Sequence, residues 1–551
     1  MKKKLLAISV LTAALTGCGG GGDVNIAPST VVNNPSSGGG STPTTPTNPT
    51  TPTNPCAAYT KGGTTFQGAQ DGANCVYGAD FVDFDNPLTV DLTIADLPND
   101  GAHIFRGSLF VGVNQKGNQS SFQYKAGGQG PKLTVNAGVT IALENSSDFI
   151  AIQRGSQIIA RGTAANPITF TSRTDVEGTV AYNAVSQWGG MVINGFGITN
   201  KCAYTGTLAA NGNSGLTLQN NTCDVTVEGT EGGTEASYGG NNNQDNSGVL
   251  EYVVVKHTGA EISPDNELNG ITFGGVGSGT TLNHVQSYST YDDGVEFFGG
   301  AADLSNYAAI YVRDDSIDLD EGYRGTIEYA LVIQDLTDGA HCVEADGVGS
   351  WNATIAPGIV GQNLHTQATL KNLTCLVTPS LTSAGATHEA GAGLMIREDH
   401  AAKIENLLLT TAFQADPSNS NNNENYCLRH RNQSVVSATI TSSVVACADL
   451  YRDGSDANTS AWAATQSGNV FFTTDVAGQD PTIDTDNGLK ILDGYFSIPA
   501  AQMIVGGVNP NITPTGGESF IGGVSASNDW TQGWVYGLTI QNWDQPLWVG
   551  Q

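Results

Sequence analysis

Short segments in which apolar and polar residues alternate dominate the chain from Leu133 onward. Four of them are LTVNAGVTIAL (133–143), FIAIQRGSQIIARG (149–162), NPITFTS (166–172) and WGGMVING (188–195). Alternation with a period of two, bounded by Gly, Asn and Asp, is typical of short β-strands. No helical period of useful length accompanies it, so the pattern predicts an all-β fold.

The strand pattern recurs with a fixed period in the middle of the chain. Three segments align over their first halves: LNHVQSYSTYDDGVEFFGG (282–300), LSNYAAIYVRDDSIDLDEG (304–322) and IEYALVIQDLTDGAHCVEADG (327–347). Asp293, Asp315 and Asp338 correspond in this alignment, with separations of 22 and 23 residues. Repeats of this length with two or three short strands indicate a parallel β-helix, a solenoid whose stacked coils share one core. The general bias of parallel crossovers makes the predicted helix right-handed.

The same pattern divides the chain into segments. Alternation and repeat predict a β-helix over residues 131–450. Irregular strands in residues 56–130 predict an N-terminal cap, because an open first coil would expose a strand edge. The period fades after residue 450, and five of the seven tryptophans follow, so residues 451–551 are expected to form C-terminal coils and a Trp-rich cap over the last coil. A partner-docking surface is the alternative for these aromatic side chains.

The N-terminus carries the features of an export signal. Three lysines precede the apolar run Leu5–Leu15, which is well short of the ~20 residues that a membrane-spanning helix needs. The run ends in Leu-Thr-Gly-Cys, which resembles a bacterial lipobox. Residues 1–17 are therefore predicted to be a lipoprotein signal peptide, and Cys18 to carry acyl chains such as palmitate. Residues 18–55, rich in Gly, Ser, Thr and Pro, are predicted to be a disordered tether. Gly19 gives no signal for inner-membrane retention, so we expect a lipid anchor in the outer membrane and a domain at the cell surface.

Charge and cysteine content narrow the partners and the compartment. The chain has 52 acidic and 22 basic residues and a formal net charge of −30, which makes nucleic acid an improbable partner. Besides Cys18, an even number of cysteines remains, and in an exported chain this predicts disulfides between sequence neighbours. The expected pairs are Cys56–Cys75, Cys202–Cys223, Cys342–Cys375 and Cys427–Cys447. A zinc site is the weaker alternative, since the sequence has no C-x-x-C motif.

Three motifs carry a family resemblance. WGGMVING, YDDGVEFFGG followed by RDDSIDLDEGYRG (313–325), and FIGGVSASNDWTQGW (520–534) resemble a family of bacterial surface β-helix lipoproteins. The similarity extends over about residues 130–540. It implies a right-handed parallel β-helix at the cell surface, and it transfers no activity and no catalytic residue to this chain.

Strand alternation places acidic side chains on the outer face of the predicted β-helix. Glu296, Asp318 and Asp320 point outward, next to the coil corners at Asp293 and Asp315. Like charges stacked ~4.8 Å apart repel each other, and a cation, a raised pKa or basic partners can relieve the repulsion. Three interpretations stay open for these five acids: Asx-type turns at the corners, a structural Ca²⁺ site, and a ligand or catalytic site.

Other side chains bear on the catalytic interpretation. His341 is expected to continue the column of Glu296 and Asp318. Arg324 and Arg397 are candidate catalytic partners of the acids, and Phe298 and Tyr323 could stack on sugar rings. His257 and His400 are expected to be surface or turn histidines. The segment Arg-x-Pro-x-x-Arg, which occurs in pectate lyases, is absent from the sequence.

Two functional hypotheses follow. The first is a binding module that takes a glycan or a metal, or docks on an outer-membrane partner such as a TonB-dependent receptor. The second is a polysaccharide lyase or glycoside hydrolase that uses the acidic column. Fold alone does not decide between them.

Overall fold

Parallel strands supply most of the regular structure. The computed structural model describes residues 54–230, 235–263, 266–335, 338–349, 353–377, 391–411, 426–431, 436–447, 450–455, 457–473, 497–499, 512–525 and 527–538. The signal peptide, Cys18 and almost all of the tether lie outside the described residues. Within them the chain is an all-β parallel β-helix, as the alternation and the repeat predict.

One face of the β-helix is a sheet of nine strands, all parallel to their neighbours. Along the stack the strands are Leu109–Val111, Ile150–Ile152, Met191–Asn194, Ile271–Gly274, Val295–Phe298, Ile317–Asp320, His341–Asp346, Ala392–Arg397 and Leu428–Arg431. We call it the nine-stranded sheet. It carries most of the acidic residues singled out above.

The other faces belong to an eighteen-stranded sheet, parallel except for one hairpin at its N-terminal end. Its strands are Ala69–Asp71, Asn74–Tyr77, Leu92–Ile94, Ala102–Phe105, Lys132–Val135, Thr140–Leu143, Gln157–Arg161, Ile168–Ser172, Gly248–Lys256, Thr281–Tyr288, Leu304–Ile310, Thr326–Ile333, Thr369–Val377, Lys403–Glu405, Leu408–Thr411, Thr439–Thr441, Val444–Cys447 and Val470–Thr473.

In seven successive coils of this sheet, a left-handed residue bends the chain at equivalent positions. The residues at the bend are Tyr252, His284, Asn306, Tyr329, Asn372, Asn406 and Ser442. Asn adopts this conformation more readily than most residues, and Asn406 Nδ2 donates to Asn372 Oδ1 at 2.8 Å. The bend splits the eighteen-stranded sheet into two faces, so a complete coil has three.

The remaining elements are short. Two-stranded antiparallel pairs join Ala58–Lys61 to Thr64–Gln67, Tyr204–Gly206 to Leu216–Leu218, Val225–Thr226 to Ser237–Tyr238, Glu261–Ser263 to Asn266–Glu267, and Ser497–Pro499 to Phe520–Gly522. The α-helices are Arg173–Val176, Ala356–Gly361 and Thr459–Thr465, and the 3₁₀ turns are Pro98–Asp100, Gln119–Ser121 and Gln219–Asn221.

Inward side chains of successive coils stack into one continuous core. Phe297 packs between Phe273, at 4.6 Å between ring centroids, and Tyr323, at 4.5 Å. Val295 and Phe297 are fully buried, as the alternation in GVEFF predicts. The four expected disulfides are all present: Cys56–Cys75, Cys202–Cys223, Cys342–Cys375 and Cys427–Cys447.

The β-helix begins before the boundary that we expected at residue 131. Parallel pairing already joins Asn74–Tyr77 to Ala102–Phe105, and Leu109–Val111 is the first strand of the nine-stranded sheet. Ala102–Phe105 is buried on both faces, so it lacks the alternation that would have revealed it. The hairpin of Ala58–Lys61 and Thr64–Gln67 forms a separate two-stranded sheet before the parallel pairing begins.

The described tryptophans of the Trp-rich region lie at two places, and the expected Trp-rich cap over the last coil stays a prediction. Trp462 of helix Thr459–Thr465 packs on the end of the core and donates to Ala438 O at 3.0 Å. Residues 520–525 and 527–538, the aromatic segment, run along the side of the β-helix instead. Trp530 and Trp534 pack there on outward residues of the long strands. Trp543 and Trp548 lie outside the described residues.

Candidate functional site

The register of the nine-stranded sheet defines two outer columns of side chains. The first column contains, in order along the stack, Thr272, Glu296, Asp318, Glu344, Met395 and Arg429. The expected place of His341 in this column is wrong. The coil between Asp318 and Glu344 is 26 residues long, and its extra residues move His341 to the coil corner. The second column contains Phe298, Asp320, Asp346, Arg397 and Arg431.

The corner beside these columns is built by hydrogen bonds between coils. Asp293 Oδ1 accepts the backbone N–H of Asp315 at 3.0 Å. Asp315 Oδ1 in turn accepts the backbone N–H of His341 at 2.7 Å and lies 2.8 Å from His341 Nδ1. His341 Nε2 is 2.7 Å from the hydroxyl of Tyr426. Asp293 and Asp315 therefore join neighbouring coils. The Asx turns proposed for them also use the carboxylate to accept a backbone N–H, but here the N–H belongs to the next coil.

Corner and first column together surround a cavity of about 400 Å³, which we call the acidic pocket. Its lining residues are Glu228, Asn269, Asp292, Asp293, Glu296, Asp314, Asp315, Asp318, His341, Glu344, Met395 and Arg397. Eight of the twelve carry carboxyl groups, against one arginine and one histidine. Glu296 is only 5% exposed, and its Oε2 accepts from Asn269 Nδ2 at 2.5 Å. Asp293, Glu296 and Asp315 are buried, and most of the other carboxyl groups are half-buried, so this face of the β-helix concentrates negative charge away from water.

Burial and mutual repulsion disfavour the charged forms of these acids. Burial first, and the charge of Asp318 second, raise the pKa of Glu296 well above its usual value. Burial and then the charge of Glu344 have the same effect on the pKa of Asp318. For Glu344, burial and the charge of Asp315 raise the pKa to about 8. Without a compensating cation, Glu344 therefore holds a proton near neutral pH, and Glu296 and Asp318 take up protons at a higher pH than they usually do.

Arg397 closes one side of the pocket. Its guanidinium forms ion pairs with Glu344 and with Asp346. Although burial opposes the charge of Arg397, hydrogen bonding and Coulomb attraction from Asp346 and Glu344 raise its pKa above the usual value. A guanidinium held protonated in this way is an anchor for carboxylates and a poor candidate for a catalytic base.

The comparisons with known proteins agree with this architecture. Residues 123–485, about two thirds of the chain, match the family of pectate-lyase-like β-helix domains. The chain belongs to this family. No curated protein and no solved structure matches it. Within the described ranges, none of the helices has the length and apolar character needed to span a membrane.

The structure brings only part of the predicted site together in this pectate-lyase-like domain. Asp293, Glu296, Asp315, Asp318 and Arg397 line the acidic pocket. Asp320 lies in the neighbouring column, where burial and the charge of Glu321 raise its pKa well above the usual value. Arg324 lines a different cavity, and its Nη2 donates to Asn363 O. Arg324 follows the strand Ile317–Asp320 and its turn, so the chain has left the nine-stranded sheet before reaching it.

The aromatic and histidine expectations also change. Tyr323 is fully buried and donates to Ala302 O at 2.7 Å, so it cannot stack on a sugar. Phe298 points outward, but Tyr238 stacks on it with 5.9 Å between ring centroids, which leaves it 5% exposed. His257 and His400 are buried at coil corners, which agrees with the turn position expected for them and not with the surface position.

Two residues of the pocket, and a third that contacts its wall, were missed by reasoning from the sequence. Asn269 bridges the Glu296 carboxylate and the backbone N–H of Asp293, which it accepts at 3.2 Å. Glu228 belongs to a long non-repeating insertion between Asn194 and Gly248, and no periodicity could place it here. Tyr426 contacts His341 across 85 residues of sequence. Only an unusual Asn just before a strand, as at Asn269, could have served as a signal.

The donor set of the acidic pocket fits a hard divalent cation. Oxygen atoms of Asp293, Glu296 and Asp318 lie within 4.8 Å of one another, and so do those of Asp292, Asp293 and Asp314. Asp318 Oδ1 is buried and has no hydrogen-bond partner among the described residues. Ca²⁺ prefers carboxylate and carbonyl oxygens, whereas zinc sites usually contain Cys or His ligands. The residues present therefore fit Ca²⁺ better than zinc.

Proposed function

We propose that this pectate-lyase-like β-helix is a binding module that holds Ca²⁺ in the acidic pocket and is carried on a lipid anchor at the cell surface. The observation that carries the proposal is the buried, unpartnered Oδ1 atom of Asp318, which lies in a cluster of buried and half-buried carboxyl groups. Buried polar atoms almost always have a partner, and a missing one calls for a bound ion or water. A divalent cation would satisfy that atom and also relieve the repulsion among its neighbours.

The cation would be held chiefly by Asp293, Glu296 and Asp318, whose oxygens are close enough to share one ion. Asp315 and Glu344 are also engaged by His341, with Glu344 Oε2 3.3 Å from His341 Nδ1. These two carboxylates therefore carry less of the uncompensated charge. Bound Ca²⁺ would supply a fixed positive centre to which an anionic group of a ligand could attach.

Isothermal titration of the full chain with CaCl₂ tests this function. We expect one class of sites whose affinity falls at least about tenfold in Asp318→Asn, because one charged ligand is lost while the side-chain shape is kept. Asp71→Asn, an exposed carboxylate in an N-terminal hairpin, is the matched control and should bind as the unchanged protein does. Absence of Ca²⁺ binding at pH 8, or equal affinity in Asp318→Asn, would refute the proposal.

The anchor rests on the sequence of the first 55 residues, with Cys18 as the acylated residue. Metabolic labelling with an alkyne analogue of palmitate tests it in a Gram-negative host. The label should enter the unchanged protein and be lost in Cys18→Ala. Protease shaving of intact cells would then determine whether the β-helix faces outward, where docking on an outer-membrane receptor would also take place.

The second candidate function is cleavage of a polysaccharide, as a lyase or a glycoside hydrolase. Family membership favours it. The close carboxyl groups with raised pKa values favour it too, because a carboxylic acid that stays protonated at neutral pH can serve as a general acid. The lyase form is the weaker of the two, since Arg397 is tied to two carboxylates and Arg324 lies elsewhere.

Product analysis separates the two functions. Incubation of the full chain with uronate-containing and neutral polysaccharides, each with Ca²⁺ and with EDTA, should yield no new reducing ends and no unsaturated products if the chain only binds. Products that disappear in Glu296→Gln or Asp318→Asn would instead establish the enzymatic function.

A further inference from the structure

A second cavity, of about 420 Å³, lies beside the turns that leave the nine-stranded sheet. We call it the basic cavity, because it contains the cations Arg324 and Lys403. The loop around Gly212 overhangs it, held in part by Asn363 Nδ2, which donates to Leu208 O at 2.9 Å. The size is in the range of sites that enclose a small ligand.

Arg324 in this cavity is charged and poorly compensated. Burial lowers its pKa to about 10, so the guanidinium remains protonated at neutral pH, and no described carboxylate raises that pKa. Nη2 donates to Asn363 O, but Nε is buried without a partner among the described residues. In a protein with a formal charge of −30, a half-buried guanidinium without an ion pair to a described carboxylate is unusual. Its free donors match the geometry of a carboxylate.

The rest of the wall is polar and mostly neutral. Gln367, Thr369 and Ser278 offer amide and hydroxyl groups. Asp303 is the one carboxylate that lines the cavity, and its Oδ1 accepts the backbone N–H of Thr326 at 2.8 Å. Its second oxygen would repel a simple anion but would accept hydrogen bonds from hydroxyl groups. A ligand that fits both ends therefore carries a carboxylate and several hydroxyls.

We propose that the basic cavity is a binding site for a sugar acid, with its carboxylate on Arg324 and Lys403 and its hydroxyls toward Asp303 and Gln367. The site is separate from the acidic pocket, and it does not require Ca²⁺. The chain would then hold a glycan ligand at a place distinct from its cation site.

Binding of glucuronate and of glucose to the full chain, both in EDTA, tests the assignment, because the two sugars differ by a carboxylate in place of a hydroxymethyl group. Ligand-detected NMR titration should show saturable binding of glucuronate and at least about tenfold weaker binding of glucose. Acetate and inorganic phosphate probe the carboxylate without hydroxyls and a different anion, and both should bind more weakly than glucuronate. Equal binding of glucose or of phosphate would overturn the proposal.

Variants locate the site. Arg324→Gln should weaken glucuronate binding at least about tenfold, and Arg324→Lys, which keeps the charge but not the planar fork, should weaken it less. Lys403→Gln changes an exposed side chain that can be replaced without loss of folding, and it should weaken binding about threefold. Arg161→Gln, an exposed arginine paired with Glu251, is the control. Asp318→Asn should leave glucuronate binding in EDTA unchanged, which separates this site from the acidic pocket. Unchanged binding in both Arg324→Gln and Lys403→Gln would refute the assignment.

Discussion

Two outer faces of the same coils have opposite chemistry. On the long strands beyond the bend, outward side chains are apolar, and the aromatic segment covers them. On the nine-stranded sheet, outward side chains of the same coils are acidic and line a cavity. The covered columns comprise Ala308, Ile310, Leu331, Ile333 and Leu376. Both faces have the same strand geometry, so the difference lies entirely in the side chains.

The contrast indicates which face serves the fold and which serves a ligand. Apolar outer columns are satisfied within the chain, because Trp530, Trp534 and Val535 remove them from water. The carboxyl groups of the acidic pocket do not stabilise one another in that way, since the charge of each one raises the pKa of its neighbours. A face whose charge repulsion is not relieved within the chain is the better place to look for a bound partner.

Trp534→Ala tests the structural role of the covered face and has the largest expected effect. Trp534 is 1% exposed, contacts the long strands and donates through Nε1 to Trp530 O at 2.7 Å. Its truncation should lower the free energy of unfolding by about 3–5 kcal/mol, as measured by urea denaturation. Phe84→Ala, at a side chain 37% exposed, should cost much less. A loss below about 1 kcal/mol for Trp534→Ala would mean that the aromatic segment is not part of the folded unit.

The covered face also shows where pattern reasoning succeeds and where it stops. Alternation and the 22-residue repeat predict the parallel β-helix. Where one face of a strand is polar, the inward residues stand out in the sequence, as Val295 and Phe297 do. The segment IEYALVIQ (327–334) is apolar on both faces, since Leu331 and Ile333 meet the aromatic segment about 200 residues later in the sequence. No local period can encode such a contact, so the Trp-rich region was expected at the end of the stack.

The acidic site was predictable to a similar degree. Asp293, Glu296, Asp315 and Asp318 follow from the register of two coils of equal length. His341 was misplaced because the next coil is longer, and an extra loop shifts the register without altering the strand pattern. Glu228 reaches the pocket from a non-repeating insertion, so only the folded chain brings it there.

Calcium should stabilise the acidic face, and the effect should depend on pH. Six acids of the pocket have folded-state pKa values above those of the unfolded chain, and that of Glu344 is about 8; the six are Asp292, Asp293, Glu296, Asp315, Asp318 and Glu344. The folded protein therefore binds more protons, so without Ca²⁺ the free energy of unfolding should fall as the pH rises from about 4 to 8. His341, whose pKa is also raised, acts in the same direction above about 6.5.

Saturation with Ca²⁺ at 100 times the Kd should add about 2.7 kcal/mol of stability. Because protons compete for the same carboxylates, the gain should be larger at pH 8 than at pH 5. Thermal melting in EDTA and in CaCl₂ at the two pH values measures the difference. A Ca²⁺ effect that is equal at both pH values would argue that the cation binds elsewhere.

Arg397→Met tests the internal compensation on the acidic face. The change removes the partner of Glu344 and Asp346 while keeping most of the side-chain volume. It should cost about 2 kcal/mol at pH 8, and less at pH 5, where Glu344, whose pKa is about 8, holds a proton. Urea denaturation at both pH values measures this, with Arg161→Met as the exposed control. Equal losses at the two pH values would show that packing of Arg397, and not its charge, is what stabilises the protein.

Asp318→Asn has the smallest expected effect on stability and separates the two faces most sharply. Asn keeps the shape of the side chain, removes one charge from the cluster and can donate to a neighbouring carboxylate. In EDTA at pH 8 the variant should therefore be more stable than the unchanged protein by about 1 kcal/mol. The order should reverse in saturating CaCl₂, because the variant gains less from the cation. Asp71→Asn should show neither effect. If Asp318→Asn were destabilising in EDTA, the carboxylate would be a structural element of the corner. The acidic face would then be stabilised within the chain, as the aromatic face is.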